Sequence, residues 1–132
     1  MKSIRVSAAV IHKNGKIFAT QRGYGEYKGK WEFPGGKREE GESGEEALLR
    51  EIKEELDSVV KIEELICVTE YDYPTFHLIM DVYLSSLIEG ELTLLEHEDA
   101  RWVPLDSIST LDWLPADDAV ILEIKRHFAS KL

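Results

Sequence analysis

The sequence predicts an α/β fold in which a mixed β-sheet lies between helices. Stretches of β-type hydrophobic alternation are interrupted by two stretches of helical period. The interruption has no regular βαβ rhythm, which argues against an all-parallel sheet. The 132 residues suffice for one domain, residues 1–132, and are short for two.

The elements follow in chain order. Ile4, Val6, Ala8 and Val10 alternate with Arg5, Ser7 and Ala9. Lys13-Asn14-Gly15-Lys16 is a turn, and Ile17-Phe18-Ala19 resumes a strand, so the chain opens on a hairpin. Residues 23 to 30 form a glycine-rich loop, and Trp31-Glu32-Phe33 a short strand stopped by Pro34-Gly35-Gly36. From Ser43 to about Leu56 the period is helical, with Ser43 and Glu46 spaced as a capping box. Leu48, Ile52, Leu56 and Leu49 make its apolar stripe. Val59 to Tyr71 and Phe76 to Leu87 read as an antiparallel pair joined near Tyr73-Pro74-Thr75. Arg101-Trp102-Val103 is another short strand. A second helix runs from Pro115, which suits a first turn, to about Phe128.

Composition narrows the function. The net charge of −10 argues against a nucleic-acid polymer as partner, because such binders carry a basic footprint. A small polyphosphate remains admissible if divalent cations stand between the two sets of negative charge. No apolar run reaches bilayer length, so no membrane partner is expected. The single Cys67 excludes an internal disulfide, reads as a small core hydrophobe and suits a reducing, cytoplasmic setting. Trp31, Trp102 and Trp113 read as packing residues, Trp113 being the one expected to line a pocket. His12, His77, His97 and His127 form no metal-binding spacing.

The chemistry concentrates in the first helix. Glu51, Glu54 and Glu55 stand at i, i+3 and i+4 and share one face beside the apolar stripe. Like charges at those offsets repel by about 0.2–0.5 kcal/mol per pair, so three together need a counter-charge. Arg50 and Lys53 are local sources of it, through Glu46 or Glu54. Clustered hard oxygen ligands also suit Mg²⁺ or Mn²⁺. A glycine turn precedes the helix; Glu42 lies six residues after Gly36, and Arg50-Glu51 eight residues after Glu42.

That arrangement resembles the Nudix box, G-x5-E-x7-R-E-U-x-E-E-x-G-U with U aliphatic, matched here by Gly36, Glu42, Arg50, Glu51, Ile52, Glu54 and Glu55. Two positions depart: Asp57 replaces the glycine and Ser58 the aliphatic residue. The glycine serves a left-handed helix end, which Asp tolerates better than most residues. The resemblance, to MutT-like Nudix hydrolases, implies an α/β/α sandwich over nearly the whole chain. It also implies a Mg²⁺-dependent enzyme, Mn²⁺ being the alternative ion, that splits a nucleoside triphosphate into monophosphate and pyrophosphate. By that likeness the metal ligands are Glu51, Glu54, Glu55, the Gly35 carbonyl and a distal carboxylate, Glu96, with Glu98 its competitor. Glu42 and Arg50 fix the loop and helix. Glu54 is the expected general base, with Glu51 and Glu96 as rivals. Arg22 is expected to grip phosphate bidentately.

Trp31 to Gly36 and Leu114 to Asp118 resemble the segments flanking the base pocket in MutT and in bacterial CTP pyrophosphohydrolase. Asp117 stands where MutT has asparagine. An ionised aspartate only accepts hydrogen bonds and favours a base with an exocyclic amine, such as cytosine or adenine; 8-oxoguanine is read either by a carboxyl whose pKa burial has raised or through that base's own N–H groups. Asp117 and Asp118 also complement a helix N-terminus. Phe76 is the candidate for stacking on the base. The expected role is nucleotide-pool sanitation, on 8-oxo-dGTP, modified dCTP or CTP, by a monomer or homodimer. Alternatives are hydrolysis of a nucleotide sugar or dinucleoside polyphosphate, or an inactive ligand-sensing module. A sensing module is expected to lose the metal carboxylates, and here all are kept.

Overall fold

The computed structural model describes residues 2–95, 97 and 99–129. Its strands are β1 Lys2–Lys13, β2 Lys16–Gln21, β3 Trp31–Glu32, β4 Gly35–Lys37, β5 Val59–Tyr73, β6 Phe76–Glu89 and β7 Asp99–Pro104. Its helices are α1 Gly44–Leu56, α2 Pro115–Asp118 and α3 Ile121–Ala129, with a 3₁₀ turn over Leu105–Thr110. The sheet runs β3-β2-β1-β6-β5, with β4 also on β1 and β7 also on β2. The expected mixed sheet is therefore present. Among the described residues no helix is long and apolar enough to cross a membrane.

Asn14 and Gly15 both take positive φ, 51° and 77°, as the tight turn between β1 and β2 requires. The pairing there is short, His12 opposite Ile17 and Lys13 opposite Lys16. Upstream, β1 lies parallel to β6, from Lys2 beside Phe76 to Ile11 beside Ser85. Ser7 to Ile11 are consecutively buried because helices cover both faces. Ala9, Ile11 and Phe18 pack with Leu48, Ile52 and Leu56 of α1. Val10, Val82 and Ile108 pack with Val120 and Ile124 on the opposite face. The β5–β6 pair is antiparallel and closes between Tyr73 and Phe76, as expected. Cys67 is half-buried and packs on the second of these cores.

Three expectations need correction. Pro34-Gly35-Gly36 does not simply stop a strand: Gly35–Lys37 forms β4, antiparallel to β1 at Val6 to Ala8. Only glycine allows so close a crossing, since a Cβ on Gly35 would lie 1.9 Å from the Ser7 carbonyl oxygen. The last helix is two helices, because Val120 N–H bonds to the Asp117 carbonyl at i→i+3 and tightens the chain before α3 restarts. Leu49 leaves the buried stripe of α1, with 42% of its surface exposed, and Ala47 takes its place.

The ends of α1 follow the local chemistry. Ser43 and Glu46 form the reciprocal capping box. Asp57 adopts the left-handed conformation, φ 47° and ψ 46°, and its N–H bonds to the Lys53 carbonyl. Asp57→Gly is expected to raise stability by up to about 1 kcal/mol, because a left-handed residue with a Cβ costs about that much. Thermal unfolding checks it, and an unchanged or lower midpoint would show the Lys53–Asp57 ion pair to matter more.

Candidate active site

The turn between β4 and α1 is held by one arginine. Arg50 Nε and Nη2 grip Glu42 at 2.8 and 2.9 Å, and Nη2 also donates to the Lys37 carbonyl. The Arg50 guanidinium, aided by the Glu39 N–H, holds the Glu42 carboxyl down at about 2. Nη1 of the same side chain donates to Glu51 at 2.9 Å and Glu54 at 3.2 Å, which supplies the counter-charge that the acidic face needs. Lys53 turns away to Asp57.

Glu51 and Glu55 point into a cavity of about 810 Å³, together with Gly35, Gly36 and His97. Gly36 is what lets the Glu51 carboxylate close on the loop, since a Cβ there would lie 2.3–2.7 Å from its carboxyl atoms. Hard carboxylate oxygens against a bare glycine backbone form a donor set that fits a divalent cation. Among the described residues, no three His, Cys, Asp or Glu side chains close on one point. Gly36→Ala is expected to displace Glu51 and raise the Mn²⁺ dissociation constant at least about tenfold, on the scale of a lost supporting contact. Titration by electron paramagnetic resonance measures it, and an unaltered constant would remove Gly36 from this role.

The other end of the cavity is apolar and aromatic. Phe33, Tyr73, Phe76 and Leu114 line it, with Asp117 at its floor. Tyr73 and Phe76 stack at 5.0 Å, and the Tyr73 hydroxyl accepts from Ala116 N–H. Asp117 is 5% exposed and one of its oxygens accepts the Phe33 N–H at 3.1 Å. Burial, and then the negative charge of Glu32, push its carboxyl up to about 8. One cavity thus joins an acidic, cation-compatible end to a flat aromatic slot.

A family model described as the NUDIX domain matches residues 1–124. The chain belongs to the Nudix family. It is 34% identical to the 8-oxo-dGTP diphosphatase of Escherichia coli (strain K12) over 128 residues, 96% of this chain and 99% of that protein. It is 32% identical to the CTP pyrophosphohydrolase of the same strain over 118 residues, 89% of this chain and 87% of that protein. The crystal structure of a MutT NUDIX hydrolase from Burkholderia pseudomallei superposes with a TM-score of 0.79 at 27% identity, covering 94% of this chain and 99% of that one. The protein is a Nudix hydrolase, with the α/β sandwich of that family.

Of the residues expected at the site from the sequence, some line the cavity and others do not. Glu51, Glu55 and Gly35 reach the cavity. Glu54 does not line it; its side chain is 61% exposed and turned to Arg50. Glu96 and Glu98 lie outside the described residues. Arg22 reaches the cavity, but its Nε and Nη2 are taken up by Glu32 at 2.8 and 3.1 Å, so its bidentate face meets a carboxylate and not a phosphate. Phe76 lines the cavity. Trp113 does not; it stacks behind Phe33 at 4.5 Å and donates its indole N–H to the Ile108 carbonyl.

Sequence reasoning missed His97, Glu32 and Tyr73. His12 and His77 pair with surface carboxylates, as polar residues do, and His127 faces Glu64. His97 differs: its side chain is 10% exposed and its Nε2 stands 4.0 Å from a Glu55 oxygen. No spacing on the chain signals this, because the contact joins residues 42 positions apart.

Proposed function

We propose that this Nudix hydrolase is a Mg²⁺-dependent nucleoside triphosphate pyrophosphohydrolase of nucleotide-pool sanitation, acting on 8-oxo-dGTP in preference to modified dCTP or CTP. The observation that carries the reading is the single cavity with the box carboxylates at one end and the Asp117-floored aromatic slot at the other. The relatives named for 8-oxo-dGTP and CTP chemistry support it. A cytoplasmic setting, where such pools are held, agrees with the lone cysteine.

The residues that would hold the cation are Glu51 and Glu55, with the Gly35 carbonyl, Glu54 and Glu96 as the further family positions. When bound, a divalent cation supplies positive charge against the phosphate oxygens and raises the acidity of water. Water adds to one of the two phosphorus atoms beside the α–β bridging oxygen, and that oxygen leaves with the other phosphorus. Nucleoside monophosphate and pyrophosphate result, and the water proton goes to a carboxylate. The placement favours Glu51 over Glu54 as that acceptor, because Glu51 faces the cavity and Glu54 faces Arg50. Lys37, on the wall, offers a cation to the phosphate chain in a protein of net charge −10.

Base choice follows from Asp117. A carboxyl still protonated at neutral pH donates as well as accepts, so it satisfies the carbonyl of an oxidised guanine. Phe76, partly exposed and backed by Tyr73, gives the flat surface for stacking.

The test is a hydrolysis screen with Mg²⁺ across canonical, oxidised and methylated nucleoside triphosphates, with nucleotide sugars and dinucleoside polyphosphates beside them. Monophosphate plus pyrophosphate from 8-oxo-dGTP, at the highest kcat/KM of the panel, is expected. Turnover of only nucleotide sugars or dinucleoside polyphosphates, or of nothing, would overturn the reading.

A further inference from the structure

We propose that Ser58 is a positioning residue: it ties Leu92 to the end of α1, holds the Leu92–Leu95 segment against that helix, and so keeps the His97 imidazole beside Glu55 in the cavity. The proposal rests on reading that end of the cavity as the place where cation and polyphosphate meet.

Ser58 stands where the Nudix pattern has an aliphatic side chain, yet it is 1% exposed. A hydroxyl so deeply buried is destabilising unless it is bonded. Both of its capacities are used. It donates to the Leu56 carbonyl at 2.9 Å and accepts the Leu92 N–H at 2.9 Å. An aliphatic residue would fill the space and leave the Leu92 N–H without this acceptor.

Two further features specify the same seat. Gly90, at φ 95°, passes so close that a Cβ would lie 2.4 Å from Ser58 Oγ and 2.7 Å from the Asp57 carbonyl oxygen. Leu92 is held at φ 54°, a left-handed conformation that a bulky residue takes only when its surroundings impose it. From there the segment runs along the last turn of α1. Thr93 N–H bonds to the Leu56 carbonyl at 2.9 Å, and Leu95 N–H to the Glu55 carbonyl at 3.3 Å. These bonds satisfy helix carbonyls that have no partner within the helix. The residue whose carbonyl is capped, Glu55, is also the residue whose carboxylate faces the cavity. His97, two positions past Leu95, stands 4.0 Å from that carboxylate and lines the same cavity. Backbone and side chain of Glu55 are thus bracketed by one segment, and Ser58 fixes where the segment begins.

The consequence is read on the full-length protein with Ser58→Ala, and with Gly90→Ala, which crowds the same seat while keeping the hydroxyl. Amide hydrogen exchange at Leu92, Thr93 and Leu95 is expected to speed up at least tenfold. The Mn²⁺ dissociation constant of the substrate-free protein is expected to rise about tenfold, with kcat falling by a similar factor, the low end for a residue that orients metal ligands. KM should stay within about twofold, because the aromatic slot is untouched. A role confined to folding would lower the thermal midpoint and speed exchange while leaving Mn²⁺ affinity and kcat at 25 °C unchanged, and that result overturns the proposal. Unchanged exchange overturns it as well. Should Ser58→Ala not fold, Gly90→Ala decides by the same readouts. If the wild-type protein hydrolyses no triphosphate, the functional reading fails, and exchange and Mn²⁺ affinity still test the tie between Ser58 and Glu55.

Discussion

Glu51→Gln is expected to lower kcat by about 10²–10⁴-fold, the range of a lost general base, with the fold intact. Glutamine keeps an oxygen for the Arg50 Nη1 bond at 2.9 Å and fits the space left by Gly36, so the loop has no cause to move. What it loses is both a charged oxygen ligand for the cation and the capacity to take a proton at neutral pH. Glu54→Gln is expected to cost much less, about tenfold, because its exposed carboxylate is turned to Arg50 and acts on the cavity only through that contact. Single-turnover rates for both variants, with circular dichroism to confirm the fold, decide the order. A Glu54 variant that is the more damaged of the two would return the proton-acceptor role to Glu54 and show that its side chain turns inward when substrate binds.

Asp117→Asn is expected to change the enzyme most at alkaline pH. In the folded protein burial and Glu32 raise the Asp117 carboxyl to about 8, from an ordinary value of 3.8. A carboxyl raised that far carries a proton to donate at pH 7 and loses it as pH rises through about 8. If the donated bond reads the guanine carbonyl, kcat/KM for 8-oxo-dGTP falls by up to about tenfold per pH unit above that point. Asparagine donates at every pH, so the variant should lack this decline and prefer 8-oxo-dGTP more strongly over CTP at pH 9 than the wild type does.

Stability gives an independent check with a defined sign. Between about pH 4 and 8 the folded state keeps a proton that the unfolded chain has released, so raising pH through that window destabilises the wild type. Below it the contribution is fully present, and above it the loss is complete. The melting-point difference, Asp117→Asn minus wild type, should climb across that window and then level. A difference independent of pH would mean that Asp117 is ionised in the folded protein, and it would then read a base through N–H donors, those of 8-oxoguanine or an exocyclic amine.

Much of the α1 region was legible along the chain because its chemistry is local. The capping box, the Asn14-Gly15 turn and the left-handed Asp57 each depend on a few neighbouring residues. The i, i+3, i+4 geometry brings Glu51, Glu54 and Glu55 onto one face in any helix. Within that face, which carboxylate reaches the cavity was not legible. It depends on the direction from which Arg50, reaching across to Glu42, pulls Glu54, and on the gap at Gly36 that admits Glu51. The same limit hid His97 and Ser58. Their partners, Glu55 and Leu92, come from segments far away in sequence, and a serine in an aliphatic position reads as a defect until the amide it receives is seen.

The amino-acid sequence by itself determined the class of protein: a mixed α/β domain, a metal-compatible acidic helix with its counter-charge, and an overall charge that admits polyphosphate only with cations between. The tertiary structure alone decided that β1 lies parallel to β6, that Arg22 faces Glu32, and that Asp117 is buried beside Glu32, which pushes its carboxyl up. The reason is physical. Helix periodicity, caps and tight turns are set by interactions within a few residues, whereas desolvation and the direction of a charged side chain depend on every segment that packs around it.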